Sequence, residues 1–285
     1  MNTDRKQGKI VLPFAGKVAL ITGASAGLGA ATATEFACRG AQVILVARCM
    51  NRLEAQAQAI RATGGQAVAF QADLAEPSQM EALAAYVTSQ HGCVDILIHN
   101  VGGGAFVPFN VPGEQVGHML HANLLGAILL TQALLPAMQE RHAGAIISVA
   151  AVSGLVAIDP LYSATKFGLR GFTLSLRRAL EGSGVSVSVI SPGFIRTEAN
   201  QFMRFPMPTP EQVARRIARL VTHPRREIIV PGYFRLAVWA EQHLPWVIDR
   251  ISHLFSQGSA MKEADTMTSD GSHERMREPD HLRRQ

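Results

Sequence analysis

The stretch Val18-Ala19-Leu20-Ile21-Thr22-Gly23-Ala24-Ser25-Ala26-Gly27-Leu28-Gly29 decides the fold. A short aliphatic run reads as a buried strand, a cluster of glycines breaks it, and an alanine-rich sequence with helical spacing follows over residues 30–39. Glycine permits a tight turn and a close approach of the backbone. The free N–H groups and positive dipole at the start of the next helix suit an anion such as a pyrophosphate. The spacing is Gly-x-x-x-Gly-x-Gly, not the commoner Gly-x-Gly-x-x-Gly of dinucleotide-binding turns. Such a cluster is a weak signal by itself, since an ordinary strand-to-helix turn also holds glycines. Its place after the first strand of an alternating chain makes Gly23, Ser25, Gly27, Leu28 and Gly29 a candidate phosphate loop.

Working outward, continuous apolar runs at 43–46, 67–70, 96–98, 145–149, 185–190 and 228–230 read as further strands. Helical spacing covers 52–63, 77–90, 114–141, 164–181 and 211–222, the last preceded by the cap signature Thr209-Pro210-Glu211. Strands without polar alternation, separated by helices, imply a parallel sheet covered on both faces. The expected fold is therefore α/β: a single-domain, Rossmann-type doubly wound parallel sheet with helices on both faces, over residues 16–232. Residues 1–15 form an N-terminal extension, 233–255 an apolar and aromatic helical segment, and 256–285 a polar tail without periodicity, expected to be disordered. Trp239 and Trp246, with flanking cations, fit either a peripheral membrane contact or a subunit contact, and Pro245 breaks that segment.

The 285 residues, 47% hydrophobic and 17% charged, are those of a folded globular chain. The net charge of +5 is scattered apart from Arg215, Arg216 and the C-terminus, which argues against nucleic acid and leaves a modest attraction for an anionic cofactor. Cys38, Cys49 and Cys93 are odd in number and lack metal-ligand spacing, so neither a disulfide framework nor a metal site is expected. That cysteine usage points to a reducing cytoplasm, and a polar N-terminus and the lack of a long uninterrupted apolar stretch indicate neither secretion nor a membrane span.

A carboxylate after the second strand would bond the ribose 2′-hydroxyl of NAD, but Ala47-Arg48 stands there and no acid appears before Glu54. The Arg48 fork, with Ser25 or Arg52, suits a 2′-phosphate, hence NADP(H); the competing reading is a solvated loop cation. Tyr162 and Lys166 stand four residues apart, on one helical face, where a nearby ammonium is expected to pull the phenol's pKa down.

Taken together, Thr22–Gly29, Asp73-Leu74, His99-Asn100-Val101-Gly102, Asn123, Tyr162–Lys166 and Pro192-Gly193-Phe194-Ile195-Arg196-Thr197 resemble the short-chain dehydrogenase/reductase family, in consistent order over about residues 16–232. The resemblance implies that Tyr162 exchanges a proton with the substrate oxygen while hydride passes between substrate and nicotinamide. Lys166 would bond the nicotinamide ribose and lower the Tyr162 pKa, and Asn123 would hold a relay water. It places Asp73 by the adenine, with Leu74 beside it, Asn100 and Gly102 along the cleft, and Pro192, Ile195 and Thr197 over the nicotinamide end. His99, where the family usually has asparagine, is expected to be structural.

One departure concerns the chemistry. The family's substrate-polarising serine falls on Ala151, and Tyr162 follows about two residues sooner than usual, so either Ser153 takes that role or nothing does. Apolar residues expected near the nicotinamide (Leu155, Val156, Ile158, Pro160, Leu161, Phe194, Phe202, Met203, Phe205 and Met207) suit an apolar ketone, aldehyde or alcohol, or else form a lid packed on the core. An NADP(H)-dependent carbonyl reductase, forming a homodimer or homotetramer as the family suggests, is the expected function. The alternative is a catalytically weak NADP(H)-binding or scaffolding protein.

Overall fold

The computed structural model describes residues 12–105, 107–196 and 206–250. Thr197, Phe202, Met203, Phe205, most of the N-terminal extension and the tail at 256–285 lie outside the described residues. Compact units comprise Met1–Arg235 and Leu236–Gln285.

In the first unit, the strands are β1 (Val18–Thr22), β2 (Gln42–Ala47), β3 (Gln66–Gln71), β4 (Ile96–His99), β5 (Gly144–Val149), β6 (Val185–Pro192) and β7 (Glu227–Val230). They form one seven-stranded sheet in the order β3-β2-β1-β4-β5-β6-β7, every pair parallel. Successive side chains alternate between faces, which explains the uninterrupted apolar runs. Ile21, Val43 and Leu45 pack with Phe36 and Ile217 on one face, whereas Leu20, Ile44 and Val46 pack with Leu83, Leu130 and Leu134 on the other. The doubly wound sheet expected from the strand pattern is thus observed. Its order reverses between β1 and β4, the switch point where such sheets open a crevice at their C-terminal edge.

The helices are α1 (Gly27–Cys38), α2 (Met50–Ala62), α3 (Pro77–His91), α4 (Gly113–Leu120), α5 (Gly126–Glu140), α6 (Pro160–Ala179), α7 (Pro210–Thr222) and α8 (Phe234–His243). The helix expected over 114–141 is divided by a widened π turn at His121–Leu125. Asn123 in that turn exchanges hydrogen bonds with the Gly103 backbone, a tertiary tie with no periodic signature. The run Gly113–Glu140 has the length and mean hydropathy, 1.4, of a membrane span, yet Leu130, Leu134 and Met138 bury one face of it in the core.

Helix α6 begins four residues earlier than its apolar spacing indicates. Asp159 caps it, accepting from the Tyr162 N–H at 2.9 Å, and Pro160 occupies the first turn. The Ser163 hydroxyl accepts in return from the N–H groups of Ile158 and Asp159. Asp159-Pro160 is a legible start signal, and it fixes Tyr162 in the first turn.

The second unit, taken alone, exposes Leu236, Trp239 and Trp246, and Trp239 stacks on His243 at 5.0 Å. Its helix pauses at Leu244, before Pro245, and resumes over 245–250.

Removing the α6 cap by Asp159→Ala is expected to cost about 1 kcal/mol. In calorimetry that should lower the melting temperature by ~2–4 °C. An unchanged melting temperature would show that α6 is held by its packing alone.

Candidate active site

A cleft of about 730 Å³ opens at the switch point, walled by the segments that follow β1 to β6 and by α4, the π turn and α6. Its floor is the turn after β1. Gly23 and Gly27 have φ of 66° and 54°, in the left-handed region that favours glycine. A Cβ on Gly29 would collide with the Gly23 carbonyl and stand 2.6 Å from the Asn100 amide. The Gly-x-x-x-Gly-x-Gly spacing therefore reflects a loop folded onto itself.

Helix α1 starts from this loop with Ala26 at its N-cap and no side-chain cap, leaving the helix N–H groups for another partner. Ser25, Ala26, Leu28 and Gly29 line the cleft there, and a Cβ on Gly27 would meet nothing within 4 Å. Uncapped N–H groups, an open glycine and a long cleft fit the phosphates of a dinucleotide.

Asn100 stitches the floor to β4: its amide donates to the Gly23 carbonyl at 3.3 Å, and its N–H to the Thr22 hydroxyl at 3.0 Å. At the far end, Arg48 is exposed on the wall and its Nη1 lies 3.4 Å from His118 Nε2. Asp73 stands opposite, one carboxylate oxygen accepting from the Ala75 N–H and the other 3.9 Å from His118 Nε2, with Leu74 buried beside it. His118 was missed in the sequence because only the fold brings α4 to the β2 and β3 loops.

Tyr162 and Lys166 meet at the opposite end, as their spacing predicted, with the ammonium 5.6 Å from the centre of the phenol ring. Lys166 is 1% exposed and donates to the carbonyls of Val101 at 3.1 Å and Val149 at 3.0 Å. Burial pulls its pKa from 10.5 down to about 8. Gly102 gives it passage, because a Cβ there would stand 2.5 Å from the ammonium. The Tyr162 phenol does not behave as the sequence led us to expect: burial first, and then the Asp159 carboxylate, push its pKa up to about 12. The phenol thus keeps its proton at neutral pH.

Asn123, 3% exposed, donates to the Gly103 carbonyl at 2.8 Å and to the Thr165 hydroxyl at 3.3 Å, and so ties the π turn to α6. Ala151 is on the cleft wall; Ser153, in the short turn Val152–Gly154, is half-buried and not part of it. Pro192 and Ile195 also line the cleft. Leu155, Val156 and Met207 are buried, and none of the expected apolar lining among the described residues faces the cleft; Val149, Ala150, Ala151, Pro192 and Ile195 supply part of its apolar surface. His99 is buried against the Thr131 hydroxyl at 2.8 Å and away from the cleft, and burial lowers its pKa to about 4.

Comparison with known proteins agrees with this geometry. Residues 17–206 match the family described as short chain dehydrogenase. The ketoacyl reductase HetN of Nostoc sp. is 33% identical over 275 residues, covering 90% of this chain and 95% of the relative. The 3-oxoacyl-[acyl-carrier-protein] reductase FabG of Escherichia coli is 34% identical over 188 residues, 65% of this chain and 76% of the relative. Among solved structures, L-sorbose reductase from Gluconobacter frateurii, complexed with NADPH and L-sorbose, superposes with a TM-score of 0.72 at 27% identity, covering 78% of this chain and 98% of that one.

Nuclear magnetic resonance of isotope-labelled lysine side chains should contain one signal titrating near pH 8, absent in Lys166→Met. Titration of that signal at the ordinary lysine value would contradict the buried, carbonyl-bound ammonium.

Proposed function

The chain belongs to the short chain dehydrogenase family, and from that premise we propose that it reduces a small ketone or aldehyde with NADPH, or oxidises the corresponding alcohol with NADP. The observation that carries this reading is the shared cleft, with a phosphate-loop turn at one end and Tyr162 and Lys166 at the other. When bound in the cleft, NADPH would supply the hydride that the carbonyl carbon receives.

The remaining steps belong to the chain. Tyr162 gives its phenol proton to the carbonyl oxygen as negative charge develops there, and the raised pKa keeps that proton available at neutral pH. Lys166 bonds the nicotinamide ribose, and its charge favours the phenolate once the proton has left. Asn123 holds a water that relays a proton toward Lys166. Asp73 and Leu74 contact the adenine, Gly23, Ser25, Gly27, Leu28 and Gly29 the phosphates, and Asn100, Gly102, Pro192 and Ile195 the nicotinamide half.

Arg48 pairs with the 2′-phosphate; no acid on the β2 loop repels it, and the NADPH complex of the sorbose reductase supports the same cofactor. The apolar wall from Val149 to Ala151, with Pro192 and Ile195, favours a substrate with an apolar carbonyl end. Ala151 favours a second reading, a slow enzyme or a cofactor-binding scaffold, since loss of one preorganised donor to the developing oxyanion costs about 10²–10³ in rate.

Cofactor titrations and a panel of apolar ketones and aldehydes test the reading together. NADPH is expected to bind more tightly than NADH by ~1.5–3 kcal/mol, with the preference lost in Arg48→Asp. Some member of the panel is expected to oxidise NADPH. Equal affinities would remove Arg48 from its role, and tight NADPH binding without turnover of any substrate would favour the scaffold.

A further inference from the structure

We infer that His118, on α4, is a second reader of the 2′-phosphate: it binds that group as the protonated ring, jointly with Arg48, so that its share of the preference for NADPH over NADH grows as pH falls. This role rests on the NADP(H) reading above and belongs to a residue outside the β2 loop.

Three segments meet at this end of the cleft. Arg48 follows β2 and Arg52 stands in the first turn of α2, Asp73 follows β3, and His118 comes from α4; all four line the cleft. Two guanidinium groups against one carboxylate leave a single net positive charge, whereas a phosphate monoester carries about −1.5 to −2 at pH 7. Those groups alone leave the anion under-neutralised, and Asp73 repels it. A proton on His118 supplies the missing charge beside both of them: Nε2 lies 3.9 Å from the Asp73 carboxylate and 3.4 Å from the Arg48 guanidinium. Glu114 and His121, one turn before and after His118, are exposed and outside the cleft wall. Helix α6, which also packs on α4, presents Tyr162 and Lys166 at the other end.

The hydrogen-bond geometry couples that proton to the ligand. A guanidinium has no acceptor, so Arg48 Nη1 donates to Nε2, whose lone pair marks a neutral ring. In this state one Arg48 donor is spent on the histidine. Protonation turns Nε2 into a donor: it no longer accepts from Arg48, and the two cations repel at 3.4 Å. Both groups can donate to a phosphate dianion, which removes that repulsion. The phosphate therefore favours the protonated ring, and by linkage the protonated ring favours the phosphate. An uncharged 2′-hydroxyl offers no such stabilisation, so the proton is taken up with NADPH and not with NADH. Histidine suits this exchange because its ordinary pKa of about 6.5 puts the charge change near neutral pH. The His118 side chain is 44% exposed, which leaves it reachable by a ligand and keeps its contribution modest through water screening.

The test is calorimetric titration of the full chain with adenosine 2′,5′-bisphosphate and with adenosine 5′-monophosphate, which lacks the 2′-phosphate, at about pH 6 and about pH 8. Each variant is compared with wild type at the same pH, which cancels the phosphate's own titration near about pH 6. His118→Gln is expected to weaken the bisphosphate ~5-fold at the lower pH and less than ~2-fold at the higher, with the monophosphate unchanged at both. His118→Lys, charged throughout, should hold the bisphosphate at least as tightly as wild type, with its larger gain at the higher pH. Equal weakening of both nucleotides by His118→Gln would make His118 a wall of the adenine pocket and overturn the role, as would a loss of the same size at both pH values. If Arg48→Asp abolishes the preference for the bisphosphate while His118→Gln leaves it intact, the role falls and the NADP(H) reading stands. If wild type binds the two nucleotides equally, both fall.

Discussion

Everything in the cleft depends on how closely the turn after β1 can approach the end of β4. The Gly29 position has no room for a side chain between the Gly23 carbonyl and the Asn100 amide, and Gly23 and Gly27 take φ values that favour glycine. That compression brings the uncapped start of α1 to the mouth of the switch point. It also lets Asn100 bond back to Gly23, which ties the β4 loop to the turn after β1 in one floor. Gly102, in the same loop, leaves the passage through which Lys166 reaches the carbonyls of Val101 and Val149.

Placing that ammonium in the interior has an energetic consequence. A pKa lowered from 10.5 to about 8 corresponds to about 3 kcal/mol against the charged form in the folded chain. Below pH 8 the full penalty is present, and between pH 8 and 10.5 the unfolded chain binds the extra proton, so this group's contribution to stability rises with pH in that window. The two backbone carbonyls repay only part of the lost hydration. A desolvated cation beside a phenol that keeps its proton is a costly arrangement for a purely structural role.

The sheet, its parallel sense and the glycine turn after β1 were legible because apolar continuity and glycine spacing are local. The pairing of Tyr162 with Lys166 was legible for the same reason, being a matter of helical register. Three features were not. The π turn at His121–Leu125 arises from Asn123 bonding to Gly103, a contact between distant segments. His118 reaches Arg48 only across the fold. The direction of the Tyr162 shift depends on burial and on Asp159, whereas the sequence displayed only the neighbouring lysine. The helix start at Asp159-Pro160 could have been read from its cap signature, and would have placed that carboxylate beside the phenol.

The central claim is that the Tyr162 phenol, held protonated at the end of a dinucleotide cleft, is the proton donor to the carbonyl. Its most direct measurement is single-turnover reduction by Tyr162→Phe with bound NADPH, alongside NADPH affinity for the same protein. The account predicts that turnover is lost while affinity stays near that of the wild type. Undiminished turnover would contradict it.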